Sequence, residues 1–107
     1  MEFPFTQETF DGKILRTFSS EVNEDELKWH YDLKDRKIQI IKGDNWELQM
    51  DNELPEKLTP LKEYFIPKGV YHRVIKGQGD LVVLIEEFYF FIRYLLKSLD
   101  NGFSLTK

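Results

Sequence analysis

Apolar and polar residues alternate through the middle of the chain, which is the pattern of β-strands with one buried face. The alternation covers residues 36–40 and 46–51, and a Gly-Asp-Asn segment at 43–45 separates the two runs. Turn residues between two alternating runs predict a hairpin. The side chains that the alternation assigns to the inner wall of the second strand are large and apolar, namely Trp46, Leu48 and Met50.

Further short segments have strand character and are separated by turn residues. They cover residues 27–32, 64–66, 71–75 and 81–85. The last of these is apolar on both faces, as expected for a strand that is covered on both sides. The Gly-Gln-Gly-Asp segment at 77–80 predicts a second hairpin. Short strands at this spacing predict an all-β barrel or jelly roll.

The two ends of the chain differ from this middle. Residues 1–26 carry spaced aromatic side chains and an Asp11-Gly12 turn, which predicts an N-terminal arm that packs on the barrel. In residues 87–107 the apolar positions recur at helical spacing, which predicts a C-terminal helix; the alternative is that residues 86–96 extend the preceding strand. Because this helix is apolar most of the way round, we expect it to pack against a second copy in a homodimer.

Length and composition predict a single domain. The chain has 107 residues, of which 41% are hydrophobic and 32% charged, and we place the core at 27–86. The net charge of −4 argues against a nucleic-acid partner, and the absence of cysteine excludes disulfides and thiolate chemistry. No apolar run is long enough to span a membrane. The N-terminus lacks a signal-peptide pattern, so we expect a cytoplasmic location.

The chain has only two histidines, and each lies in a strand-like run. Pro67 fixes its own φ and Gly69 can adopt a left-handed conformation, so a sharp corner precedes His72. Asp32 follows His30 by two residues and therefore shares its face of an extended chain. Two imidazoles and a carboxylate can thus converge, and this donor set suits Fe(II), Zn(II), Mn(II) or Ni(II).

Two runs of the sequence have the spacing of the two conserved motifs of the cupins, a superfamily of RmlC-like jelly rolls. They are His30-x-Asp32-x-x-x-Arg36 followed by Gly43, and Pro67-x-Gly69-x-x-His72. The resemblance covers roughly residues 27–86 and implies a small antiparallel jelly-roll barrel with a metal site inside. It places His30 and His72 on ligand positions. Asp32 stands in place of a further histidine, and Arg36 in place of the family's glutamate.

The first functional hypothesis is a cupin-like binding protein. Its barrel pocket would hold a small anionic ligand, with no reaction assigned. The residues assigned to this pocket are Arg36, His30, His72, Trp46, Leu48 and Met50.

The second hypothesis is a metal-dependent cupin enzyme with His30, Asp32 and His72 as ligands and Arg36 as a clamp for an anionic group. At about 5 Å from a divalent cation, the guanidinium would repel it by on the order of 6 to 7 kcal/mol in an effective dielectric of 20. Arg36 could also form a bidentate pair with Asp32 and take the carboxylate from the metal. A third reading makes the histidines core residues and the aromatic tail an assembly surface.

Overall fold

The computed structural model describes residues 3–88, and the regular elements among them are strands and one short 3₁₀ turn. In chain order the strands are β1 Thr6–Phe10, β2 Lys13–Phe18, β3 Asp35–Asp44, β4 Glu47–Met50, β5 Glu56–Lys57, β6 Glu63–Ile66, β7 His72–Ile75 and β8 Gln78–Phe88. The 3₁₀ turn is Glu24–Glu26, and the Asn23 side chain accepts a hydrogen bond from its Asp25 N–H at 2.9 Å. The all-β class predicted from the alternation is confirmed.

The strands form two antiparallel sheets, one in the order β1-β2-β8-β3-β6 and the other in the order β5-β4-β7. The segment 1–26, which the sequence suggests as an arm, supplies two strands of the larger sheet. Side chains from both sheets meet in one hydrophobic core, which includes Phe18, Ile40, Leu48, Ile66, Leu81 and Ile85. Within residues 3–88 no strand pairs with both sheets, so these residues form a two-layer sandwich rather than the closed barrel that we expected.

The chain changes sheet at both places where the sequence predicts a hairpin in the core. β3 pairs with β6 and β8, whereas β4 pairs with β5 and β7, so residues 43–45 connect two sheets. The same holds for residues 77–80, where β7 of one sheet gives way to β8 of the other. Turn residues mark a change of direction without specifying the partner of the next strand. The Asp11-Gly12 turn does join two paired strands, β1 and β2.

Trp46 anchors the first of these sheet changes in the core. Its side chain has no exposed surface, and its indole Nε1 lies 3.3 and 3.2 Å from the carbonyl oxygens of Gln78 and Gly79. The segment of the second sheet change lies directly beside the first: a Cβ built on Gly77 would overlap the backbone of residues 44–46. The buried Trp46 indole binds the second segment, and the absence of a side chain at Gly77 allows the two segments to pack closely.

The last described strand extends further than predicted. β8 continues to Phe88, where it pairs with Asp35 of β3, so residues 87 and 88 are strand rather than the start of a helix. The remainder of the predicted C-terminal helix, and the dimer surface expected on it, fall on residues 89–107, outside the described residues. Within residues 3–88 there is no helix long and apolar enough to cross a membrane.

Replacing Gly77 with alanine should destabilise the fold, because the new methyl group meets rigid backbone of the neighbouring crossing. We expect Gly77→Ala to lower the free energy of unfolding by about 2 kcal/mol or more, at the upper part of the range for overpacked sites. Urea denaturation followed by tryptophan fluorescence measures this.

Gly43→Ala is the matched control. A Cβ at Gly43 would lie 2.8 Å from Cδ1 of Leu81, the end of a flexible side chain that can move aside. We expect a cost below about 1 kcal/mol for this variant, since no backbone has to shift. Equal unfolding midpoints for the two variants would contradict the close approach of the two crossings.

Candidate metal centre

The backbones of the two histidines are joined by a reciprocal pair of hydrogen bonds. The His30 N–H donates to the His72 carbonyl at 3.0 Å, and the His72 N–H donates to the His30 carbonyl at 2.8 Å. Residues that are directly opposite in an antiparallel pair carry their side chains on the same face. The two imidazoles are accordingly adjacent, with ring centroids 4.3 Å apart and planes inclined at 60°.

The corner before β7 is held by acidic residues of the segment that leads into β3. Gly69 has the left-handed conformation predicted for it, with φ of 79°, and its N–H donates to the Asp32 carbonyl at 3.0 Å. The Lys68 N–H donates to Oδ1 of Asp35 at 2.7 Å, and Asp35 is only 1% exposed. Sequence reasoning missed Asp35, because nothing in its spacing distinguishes it from a surface acid. The corner that delivers His72 is thus tied to the chain that carries Asp32.

Both imidazoles are held in the same tautomer by backbone carbonyls. Nδ1 of His30 lies 3.0 Å from the Lys28 carbonyl oxygen, and Nδ1 of His72 lies 2.8 Å from the Val70 carbonyl oxygen. A carbonyl oxygen can only accept, so each Nδ1 carries the proton. In the neutral ring each Nε2 then presents a lone pair, the arrangement found in histidines that bind metal ions.

Asp32 completes a group of three potential ligands, which we call the triad: His30, Asp32 and His72. One ligand-type atom from each residue lies within 4.8 Å of the others. Oδ2 of Asp32 is 3.3 Å from Nε2 of His72, and Oδ1 is 3.9 Å from Nε2 of His30. Asp32 is 8% exposed, and its buried Oδ2 accepts no hydrogen bond. With the proton of each ring on Nδ1, three lone-pair atoms face one another, and a cation fits this arrangement.

Arg36 stands beside the triad with its charge largely balanced. Its Nε and Nη2 donate to Oε2 of Glu87 at 3.1 and 3.0 Å, and Arg36 and Glu87 are opposite each other in the β3–β8 ladder. Only one atom pair joins Arg36 to Asp32, Nη1 and Oδ1 at 3.2 Å. The bidentate Asp32–Arg36 pair considered from the sequence is therefore wrong, and Oδ2 of Asp32 remains free. The acidic partner Glu87 was missed, since it lies 51 positions away.

The surroundings of the triad favour the protonation states that a metal ion requires. Burial raises the pKa of Asp32, but the charge of Arg36 opposes this effect, and the pKa lies below its ordinary value. Burial lowers the pKa of His30 below its ordinary value; the hydrogen bond to the Lys28 carbonyl opposes this shift, and the charge of His72 adds to it. At neutral pH Asp32 is ionised and His30 is neutral.

Two cavities formed by residues of the described range border the triad. The larger, of about 510 Å³, is bordered by His30 and Asp32; we call it the outer cavity. The smaller, of about 50 Å³, lies among core side chains and is bordered by His30 and His72. Two arginines border both cavities, Arg36 and Arg16, and the sequence pattern had not indicated the second.

The apolar wall residues assigned to a ligand pocket lie nearer to the core. Trp46 is fully buried, Leu48 borders the smaller cavity, and Met50 packs against the core cluster and pairs with His72 in the β4–β7 ladder. Contact of these side chains with a ligand stays a prediction, as does metal ligation by the triad.

No family model and no curated protein matches the sequence, whereas solved structures do. The DMSP lyase DddQ from Ruegeria pomeroyi has a TM-score of 0.58 at 18% identity; the match covers 68% of this chain and only 35% of the lyase. A cupin domain from Bordetella pertussis has a TM-score of 0.56 at 21% identity, covering 82% of this chain and 98% of that domain. HppE in complex with Co(II) and substrate has a TM-score of 0.55 at 16% identity, covering 71% of this chain and 43% of HppE.

At these identities the similarity concerns the fold. The two motifs at His30 and His72, the antiparallel two-sheet architecture and the solved structures agree with one another. The chain has the fold of the cupin superfamily.

Proposed function

We propose that this chain binds one divalent transition-metal ion through Nε2 of His30, Nε2 of His72 and a carboxylate oxygen of Asp32. The observation that carries the proposal is the buried Oδ2 of Asp32, which accepts no hydrogen bond and lies 3.3 Å from an imidazole nitrogen whose proton is on the far side of the ring. Left without a cation, such a group costs about 1–3 kcal/mol, and more when charged. A metal ion bound by the triad removes that cost.

Three protein ligands leave coordination positions for a small molecule from the outer cavity. When bound, the ion would act as a Lewis acid toward an oxygen atom of that molecule. Two imidazoles and one carboxylate suit Fe(II), and also Mn(II), Ni(II) or Zn(II). HppE, which shares the fold, has been solved with Fe(II) and with Co(II), which supports the same class of ion here.

The protein's own residues prepare this site. The Lys28 and Val70 carbonyls orient the two rings and keep their protons away from the triad. Glu87 balances the Arg36 guanidinium, so the repulsion of a cation by Arg36 is offset by a carboxylate 3.0 Å from it. In a metal-free pocket, the first functional hypothesis from the sequence, Oδ2 of Asp32 would lie buried without a donor as long as His72 keeps its proton on Nδ1.

Asp32→Asn should abolish tight metal binding, because it removes the only negative charge of the triad while keeping the shape of the side chain. We expect wild-type protein to bind one equivalent of Zn(II) or Co(II). Asp32→Asn should lower the metal affinity at least about 100-fold. Mutating a residue that only supports a metal ligand already costs up to about 100-fold, and Asp32 is itself a proposed ligand. Calorimetry with Zn(II) and visible absorption with Co(II) measure this.

Asp51→Asn is the matched control, since Asp51 is an exposed acid outside the triad, and it should bind metal like the wild type. His72→Ala should behave like Asp32→Asn. Wild-type protein that binds neither ion, or an Asp32→Asn variant that binds as tightly as the wild type, would disprove the proposed centre.

Glu87→Gln should weaken metal binding although Glu87 is not a proposed ligand. Removing the Glu87 charge leaves the Arg36 charge unbalanced beside Asp32. We expect a loss of metal affinity of about tenfold, in the range known for residues that support metal ligands. The double variant Arg36→Gln/Glu87→Gln removes both charges and should recover most of the affinity. Equal affinities for the Glu87→Gln and wild-type proteins would show that Arg36 needs no balancing acid.

A further inference from the structure

Arg16 of β2 is a half-buried cation on the wall of the outer cavity. Its guanidinium carbon lies 3.8 Å from the centroid of the Phe5 ring, and its Nε donates to Oε1 of Gln7 at 3.0 Å. The ring and the amide hold the guanidinium in place. Among residues 3–88, its Nη1 and Nη2 donate to no acceptor.

The two arginines of this cavity differ in how their charges are balanced. Arg36 pairs with Glu87 and Asp32, whereas no carboxylate within the described range forms an ion pair with Arg16. Burial lowers the pKa of Arg16 to about 10; the charge of Arg36 adds to this effect, and the more distant charges of Asp32 and Glu87 oppose it. Arg16 is still charged at neutral pH, so the cavity wall holds a fixed, partly desolvated cation whose terminal donors are unused.

We propose that Arg16 binds the carboxylate of a small organic acid in the outer cavity, with the remainder of that molecule beside the triad. This inference rests on the proposed metal centre for the placement of the ligand, since the same cavity borders both groups. A guanidinium offers two parallel N–H donors that match a carboxylate in a bidentate pair. The sequence predicted Arg36 as the residue that binds an anionic ligand, but the N–H groups of Arg36 already contact Glu87 and Asp32.

The character of the cavity favours a singly charged ligand with an apolar body. Its uncharged walls are formed by hydrocarbon and aromatic side chains, among them Phe18, Leu27 and Val74. One guanidinium edge can pair with a carboxylate, and the acids Glu26 and Asp32, which border the same cavity, would repel a multiply charged phosphate more strongly than a carboxylate. A volume of about 510 Å³ lies within the range of small-molecule sites.

Titration of metal-free and Zn(II)-loaded protein with butanoate, followed by ¹⁵N-¹H NMR, tests the proposal. We expect saturable shifts of the Arg16 side-chain and Phe5 signals with butanoate and none with butanamide, its neutral counterpart. Arg16→Gln should weaken butanoate binding about tenfold or more, the loss expected for a charge-assisted hydrogen bond. Arg16→Lys keeps the charge but not the planar pair of donors, so its butanoate affinity should lie between those of the wild type and Arg16→Gln.

Lys42→Gln is the matched control, because it removes one positive charge from an exposed position that does not border the cavity. It should change butanoate affinity less than about threefold, the effect of a distant charge in water. An equal loss in Lys42→Gln and Arg16→Gln would overturn the proposal, as would butanamide or inorganic phosphate binding as tightly as butanoate. Should Arg16→Gln fail to fold, Arg16→Lys binding butanoate like the wild type would overturn it as well.

Zn(II) binding and butanoate binding are measured independently, so the metal centre and the anion site can each be refuted without the other. Protein that binds butanoate through Arg16 but takes up no Zn(II) refutes the metal centre and supports the anion site. Protein that takes up Zn(II) but binds butanoate equally with and without Arg16 refutes the anion site alone.

Discussion

The site depends on one reciprocal pair of backbone hydrogen bonds, between His30 and His72. These bonds attach a segment that lies outside the named strands to the first residue of β7, and they place two side chains on one face. The same bridge also positions Asp32, which is two residues from His30. The Asp32 carbonyl accepts a hydrogen bond from the N–H of Gly69, in the corner before β7. A change that breaks the bridge would therefore disperse all three candidate ligands at once.

The charges around the triad are arranged by strand order. β2, β8 and β3 are neighbours in the larger sheet, and this order brings Arg16, Glu87 and Arg36 to the same region. Glu87 neutralises Arg36 from across the ladder, which makes a cation tolerable beside a guanidinium. Arg16 has no such partner among residues 3–88 and leaves its charge for a ligand. Arg36 thus lies beside the proposed metal centre with its charge balanced, and Arg16 borders the adjacent outer cavity.

Sequence reasoning recovered what depends on local spacing and missed what depends on pairing. Alternation reports which face a side chain takes, and so the strands at 36–40 and 46–51 were found, whereas their partners in two different sheets were not. The convergence of the triad could be anticipated from period-two spacing and from the two cupin-like motifs. The positions of Glu87 and Arg16 beside the triad could not be anticipated, because they depend on which strands pair, and these strands are distant in the sequence.

The proposed metal centre requires that both imidazoles turn an unprotonated Nε2 toward Asp32. Because the chain has only two histidines, long-range ¹⁵N-¹H NMR of the metal-free protein at neutral pH can assign the tautomer of each ring. We expect both rings to carry their proton on Nδ1, bonded to the Lys28 and Val70 carbonyls, and both Nε2 atoms to be unprotonated. A proton on Nε2 of His72, shared with Asp32, would disprove this arrangement of the triad.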